Sequence, residues 1–92
     1  MNRIKMDNSN GYESLLEGII LQAVKDYTRA YRRVLRDPED KDAYSMMQEC
    51  EDFIESDTFR TMCGLDPEEL LYNLDQQIEA EHARRQAMNS QA

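Results

Sequence analysis

Few residues in this sequence could perform catalysis, and their spacing does not favour it. His82 is the only histidine among 92 residues, and Glu79 precedes it by three positions. A Glu-x-x-His pair of this spacing occurs in di-metal carboxylate sites, but those sites need a second copy and two further acids. Cys50 and Cys63 have no base beside them in the sequence, and no glycine-rich phosphate loop occurs. The sequence therefore predicts a protein that is not an enzyme and that uses no metal or other cofactor.

Acidic side chains are the most abundant polar groups. The chain has 19 Asp and Glu against 11 Lys and Arg, which gives a formal net charge of −8. Fifteen of the acids, but only two of the bases, fall within residues 37–81. Solubility is one explanation for this excess, and docking into the basic groove of another protein is the second. The acids expected to make such contacts are Asp42, Glu49, Asp52, Glu55, Glu68 and Asp75.

A basic run precedes the acidic part of the chain. It consists of Lys25, Arg29, Arg32, Arg33 and Arg36. One interpretation is contact with phosphate or with an acidic protein. The other is a solvated helix face whose arginines pair with neighbouring acids. The second is favoured, because a net acidic protein repels nucleic acid at long range and no aromatic is interleaved to stack a base. Direct nucleic-acid binding is therefore the weaker alternative.

Helical periodicity would place these basic residues on one side of a first helix. The predicted helix runs from about Gly11 to Arg36, with Asn10 as its N-cap and Glu13 completing a capping box. The basic residues lie opposite its apolar stripe. That stripe, with i, i+3/i+4 spacing, comprises Leu16, Ile20, Ala23, Val24, Tyr27, Tyr31 and Val34.

The sign of the charge changes between Arg36 and Asp37, where one helix ends and the next begins. Asp37 is the predicted N-cap of the second helix and Pro38 its first residue, because proline at that position loses no hydrogen bond. Cations at a helix C-terminus and acids at an N-terminus are both favoured by the helix dipole. The second helix is expected to end near Glu55. Its apolar stripe comprises Ala43, Met47, Cys50 and Ile54.

Two further caps predict the remaining elements. Ser56 begins a short helical turn that ends at Gly64, and Asp66 caps a third helix whose first residue is Pro67. The inward positions of the third helix become charged beyond Ile78, so the helix is expected from about Glu79 to enter solvent, fray or meet another chain. Its apolar positions before that point are Leu70, Leu71, Leu74 and Ile78.

These elements predict an all-α fold, a small three-helix bundle with one additional short helical turn. The predicted organisation is a flexible N-terminal arm at 1–10, a three-helix domain at 11–81 and a polar C-terminal helix extension or frayed tail at 82–92. No apolar stretch approaches the roughly 18 residues that cross a bilayer, and the N-terminus lacks a secretory signal. We therefore expect a cytosolic protein, with both cysteines reduced and no membrane contact.

The order of these motifs resembles a group of small helical proteins encoded by phages, prophages and mobile elements of Gram-positive bacteria. The matching parts lie within residues 19–78 and are Ala23–Tyr27, Asp37–Pro38, Cys50–Ser56 with Phe59, and Asp66–Leu74. The sequence departs from the group at Glu55-Ser56-Asp57, where the group is more basic or aromatic, and at Pro67, where glycine is common. Because the group has no established activity, the resemblance implies a genomic setting, and with it a location in the host bacterial cytosol, rather than a chemistry.

The sequence leaves three functional hypotheses. The first is a non-catalytic phage or mobile-element protein that binds a host macromolecule, most concretely an acidic inhibitor of a defence or nucleic-acid-handling machine, in the manner of anti-CRISPR proteins. Its partner would be a host protein with a basic groove. The second is a structural or regulatory helical module that self-associates, for example as a homodimer, through positions beyond Ile78. The third is nucleic-acid binding through the basic run.

Overall fold

The structure, a computed structural model, describes the backbone of residues 7–91 and the side chains of residues 14–88. Residues 1–6, which form most of the predicted N-terminal arm, lie outside the described range. Within that range the chain is helical and has no strand, which confirms the all-α prediction. Its four helices are α1 (Asp7–Arg36), α2 (Lys41–Ile54), α3 (Asp57–Cys63) and α4 (Pro67–Gln91).

The first helix begins earlier than the sequence predicts. It starts at Asp7, so Asn10 lies inside the helix and is not its N-cap. Residues 7–10 read Asp-Asn-Ser-Asn, and each of these residue types is a good N-cap, so sequence alone does not select one. The predicted end of the helix is confirmed, since α1 closes at Arg36.

The Asp-Pro-Glu-Asp segment forms a turn before the second helix. The carboxylate of Asp37 accepts from the backbone N–H of Glu39 at 3.1 Å, and the N–H of Asp40 donates to the carbonyl of Asp37 at 3.0 Å. Asp40 is the N-cap of α2, and its side chain accepts from the N–H of Ala43 at 3.0 Å. The prediction of Asp37 as N-cap was therefore wrong by three residues, because the chain uses this segment to reverse direction first.

The later caps follow the sequence prediction. Ser56 caps α3 by accepting from the N–H of Phe59 at 3.2 Å. Gly64 ends α3 in the left-handed region at φ 69°, where a side chain would be strained. Asp66 accepts from the backbone two residues later at 3.1 Å, and Pro67 is the first residue of α4.

The core draws side chains from all four helices. Tyr27 of α1, Ile54 of α2 and Phe59 of α3 are its largest fully buried members, and Leu71 and Ile78 of α4 complete it. These positions confirm the predicted apolar stripes in outline. The stripe on α1 differs in detail: Ala30, which the prediction omitted, is fully buried, whereas Val24 is only half-buried and lines a surface cleft.

Contacts between side chains give the directions of the helices. Arg33, near the end of α1, bonds Asp40 at the start of α2, and Ile19 and Phe53 line one groove further along, so α1 and α2 are antiparallel. The long helices α1 and α4 run in the same direction. Their contacts join residues 48 or 49 positions apart along about one and a half turns of each helix. Among the described helices, none combines the length and apolarity needed to cross a membrane.

Candidate functional site

Among the described side chains, three polar contacts join α1 to α4. The hydroxyl of Tyr27 donates to Asp75 at 2.5 Å, and the hydroxyl of Tyr31 donates to Glu79. Burial raises the pKa of the Tyr27 hydroxyl well above its usual range, and the carboxylate of Asp75 raises it further. Burial and the carboxylate of Glu79 likewise raise the pKa of Tyr31. Both phenols therefore act as fixed hydrogen-bond donors at neutral pH.

The third contact lies where the sequence predicted that α4 would leave the core. Arg32 places its guanidinium 2.7 Å from Glu81, and Arg85 lies 3.3 Å from the other carboxylate oxygen. The hydrogen bond from Arg32 holds the pKa of Glu81 below its usual range. The departure predicted from Glu79 onward is therefore wrong for this turn of the helix, because polar contacts with α1 replace the apolar ones.

The basic run on α1 is partly neutralised within the chain. Arg33 pairs with Asp40 at 3.0 Å and Arg32 with Glu81, while Arg29 lies 3.6 Å from Asp26. This pairing is what the solvated-face interpretation expects. Lys25 and Arg36 are exposed, and neither pairs with a described carboxylate within 4.0 Å.

Arg85 extends this basic surface onto α4. It lines a cleft of about 470 Å³ together with the α1 side chains of Val24, Lys25, Thr28, Arg29, Arg32 and Arg36. A smaller cleft next to it is shared by Arg32, Arg36, Arg85 and His82. Sequence reasoning missed Arg85 because it lies 49 positions beyond Arg36 and only the parallel packing of α1 and α4 brings the two together.

Five of the six acids predicted to contact a partner are exposed. Asp42 and Glu49 lie seven residues apart, and therefore on one side of α2, while Asp52 lies further round the same helix and Glu55 follows it as the C-cap. Glu68 is exposed in the first turn of α4. None of these five forms an ion pair within the described part of the chain.

Asp75, the sixth predicted acid, has a structural role. It is half-buried and accepts the hydrogen bond from Tyr27, so its carboxylate already has a partner within the fold. The negative charges around it are dense. Burial raises the pKa of Glu51, and the nearby carboxylates of Glu55, Asp75 and Asp52 raise it further. Glu51 was not among the predicted contacts, because its position on the inner flank of α2 becomes apparent only once α4 is in place.

The groups considered for catalysis are dispersed. His82 is half-buried beside the α1 arginines, not exposed in a polar tail, and its ring lies 3.4 Å from the amide of Gln86. Cys50 and Cys63 are both free thiols, and burial raises the pKa of Cys50, as do the nearby carboxylates of Asp26 and Glu49. Among the described residues, no three His, Cys, Asp or Glu side chains are grouped so that they could hold a metal ion. Comparisons of the chain with protein-family models, curated proteins and solved structures give no match.

Proposed function

We propose that this chain is a non-catalytic phage or mobile-element protein that docks its acidic α2 surface into the basic groove of a host protein. The most concrete form is an inhibitor of a defence or nucleic-acid-handling machine, in the manner of an anti-CRISPR protein. In this proposal the fold is a three-helix bundle of α1, α2 and α4, with α3 as a short connection. The resemblance of residues 19–78 to proteins of mobile elements supports the genomic setting.

The availability of the α2 acids is the observation that carries the proposal. Asp42, Glu49, Asp52 and Glu55 are exposed and have no described ion-pair partner, whereas Arg29, Arg32 and Arg33 on α1 each have one. A basic partner could therefore meet these carboxylates without breaking an internal contact. Complementary charge of this kind speeds association and selects among partners more than it adds affinity.

Neutralisation of these four acids tests the proposal. The variant Asp42→Asn/Glu49→Gln/Asp52→Asn/Glu55→Gln is compared with a control of equal net charge, Glu17→Gln/Glu39→Gln/Asp57→Asn/Glu69→Gln, whose four sites are also exposed. Each tagged protein is incubated with a bacterial lysate at low and at raised salt. The proposal expects a nucleic-acid-binding protein to be captured by the wild type and the control but lost from the α2 variant.

A competition experiment then checks how the captured protein is bound. Added single-stranded DNA or RNA should displace the chain if both occupy the same basic groove. Equal capture by the α2 variant and the control would contradict docking through these acids. If added nucleic acid did not reduce capture, this would contradict the idea that the chain occupies a nucleic-acid channel of its partner.

Nucleic-acid binding by the chain itself is the second candidate, and the position of Arg85 favours it. Together with Lys25 and Arg36 it gives the basic cleft cations from two helices. Fluorescence anisotropy with a labelled single-stranded oligonucleotide tests this at two salt concentrations. Binding that weakens with salt and is lost in Lys25→Ala/Arg36→Ala would support it, because each phosphate contact adds to the salt dependence.

Self-association through α4 beyond Ile78 is the remaining alternative. Ala83, Ala87 and Met88 are exposed there. Truncation directly after Ile78 would also remove the contacts of Glu79 and Glu81 with α1, so it is a poor test. Met88→Lys is a gentler one: light scattering should show a change from dimer to monomer if this surface is the seam.

A further inference from the structure

A groove runs between α1 and α2, and every lining residue in the described part of the chain comes from these two helices. Its floor is apolar and consists of Ile19 and Ala23 from α1 with Cys50 and Phe53 from α2. Its volume is about 360 Å³, and the described side chains of α3 and α4 do not line it. Ile19 has a large apolar side chain, yet it is 37% exposed. An apolar groove between two packed helices can bury the apolar face of a third helix.

The edges of the groove are acidic on both sides. Asp26 borders it on α1 and Glu49 on α2. The amide of Gln22 and the guanidinium of Arg29 both approach Oδ1 of Asp26, and no described side chain donates to Oδ2. Burial raises the pKa of the Cys50 thiol on the floor of the groove, and the carboxylates of Asp26 and Glu49 raise it further, so both acids lie close to that floor. An occupant with positive charge on both flanks would fit these edges.

The groove is continuous with the acidic surface of α2. Glu49 belongs to both, and Asp42 lies two turns earlier on the same side of that helix. A ligand that reached along α2 would therefore meet apolar surface and carboxylates in the same stretch. This arrangement matches helix-in-groove recognition, in which an amphipathic helix lays its apolar face into a groove and its flanks supply the charge complementarity.

We propose that the α1–α2 groove binds an amphipathic helix of the partner protein, with an apolar stripe flanked by Lys or Arg. The proposal rests on the function proposed above and names the element of the partner that is recognised. Ile19 and Phe53 contact the apolar stripe, and Asp26 and Glu49 contact the basic flanks. The partner helix lies as an additional helix against the α1–α2 pair.

Designed peptides provide a direct probe. The test peptide has Leu at helical i, i+3/i+4 spacing with Lys on both flanks. One control has Glu in place of Lys, and a second has the same composition as the test peptide in an order that breaks the apolar stripe. Each is titrated into the ¹⁵N-labelled full chain and followed by amide chemical shifts. Only the first peptide should shift the amides of residues 19–26 and 49–53.

Matched variants locate the site. Ile19→Lys and Glu49→Lys should each weaken binding of the test peptide by roughly tenfold, a change of about 1.4 kcal/mol in binding free energy. Leu21→Lys is the control for the first, because Leu21 is 53% exposed on α1 and does not line the groove. Glu69→Lys is the charge control for the second. In a Cys63→Ser background, the test peptide should also slow alkylation of Cys50.

The outcomes separate this proposal from the function on which it rests. Suppose that amide shifts spread over the acids of α2 and that the second control peptide, whose order breaks the apolar stripe, binds as well as the test peptide. This result would contradict binding in the groove but would leave charge-based docking intact. If the test peptide did not bind at all, the proposal that the groove binds a helix would also be wrong. The lysate experiment tests docking through the acids independently. If the chain formed a concentration-dependent dimer that Ile19→Lys dissociated, the groove would be occupied by a second copy of this chain. That result would contradict the proposal of a partner helix.

Discussion

The hydroxyl of Tyr27 lies 2.5 Å from Oδ1 of Asp75 and ties the centre of α1 to α4 across 48 residues of sequence. The phenol ring is buried in the core, while its hydroxyl donates to the half-buried carboxylate of Asp75. The aromatic ring and the hydroxyl therefore have separate structural roles, and a substitution can remove one without the other.

Tyr27→Phe should lower the free energy of unfolding by about 1–3 kcal/mol, because it keeps the ring but leaves the half-buried carboxylate of Asp75 without its donor. Urea unfolding followed by circular dichroism measures the change. Tyr72→Phe is the control, since Tyr72 is 63% exposed and makes no described hydrogen bond; it should alter stability by less than about 0.5 kcal/mol. Equal stability of the two variants would mean that the Tyr27–Asp75 bond contributes nothing.

The two bonded phenols should make the fold sensitive to alkali. Burial and the acceptor carboxylates raise the pKa values of Tyr27 and Tyr31 in the folded state, whereas the unfolded values remain near 10.0. Above that pH the unfolded chain releases these protons first, so stability must fall as pH rises. Tyrosinate absorbance and helix content should therefore change together in part of the titration. Complete ionisation of tyrosine before any helix is lost would contradict the prediction.

Glu51→Gln should stabilise the protein at neutral pH. Burial and the carboxylates of Glu55 and Asp75 raise the pKa of Glu51, so the charged form is disfavoured in the folded state. The free-energy penalty of a charged Glu51 in the folded state is absent below the pKa of 4.5 in the unfolded chain, because the group is then protonated in both states. It is complete above the pKa in the folded state. We expect the free energy of unfolding to rise by less than about 1 kcal/mol, because Glu51 is partly exposed and its charge is screened.

Urea unfolding of Glu51→Gln at pH 7 and below pH 4 checks this. Glu17→Gln, which removes an equal charge from an exposed position on α1, should show no such gain at pH 7. If Glu51→Gln stabilised the chain equally at both pH values, the effect would come from packing rather than from charge.

Asp40→Ala should destabilise the chain more than Asp37→Ala. Asp40 caps α2 and also pairs with Arg33, whereas the carboxylate of Asp37 makes one bond within the turn. The hydrogen bond from the backbone N–H of Ala43, followed by the interaction with Arg33, lowers the pKa of Asp40. Its contribution is therefore present at neutral pH and lost as pH falls below the usual carboxyl range. Thermal unfolding at pH 7 ranks the variants, and the reverse order would restore Asp37 as the important cap.

Local signals predicted the helices and most of their ends. Ser56, Gly64 and Asp66 act on backbone groups within a few residues, so their effects can be read from sequence. The Asp37–Asp40 segment was misassigned because it contains two good caps and only tertiary packing selects between them. The apolar stripes were predictable because burial of apolar surface requires helical spacing, whatever the partner helix is.

The surfaces were less predictable, since they depend on residues distant in sequence. Periodicity placed Tyr27 in the core but could not show that its hydroxyl would meet Asp75, which removes that acid from the docking set. In the same way Arg85 was assigned to a polar tail, yet it lines the cleft with Arg36. Pairwise contacts between helices are fixed by their relative alignment, and no local pattern encodes that.

The polar contacts between α1 and α4 also discriminate against slipped alignments of the two helices. An apolar stripe repeats at each turn, so sliding α4 by one turn would still offer leucine or isoleucine to α1. The polar partners repeat only in part: because Tyr27/Tyr31 and Asp75/Glu79 have the same four-residue spacing, a one-turn slip keeps one tyrosine–carboxylate pair and loses the other. A slip in one direction would set Tyr27 opposite Leu71, and a slip in the other would set Arg32 opposite Arg85. The observed alignment is thus the one in which all three contacts form together, and a slipped packing keeps fewer of them.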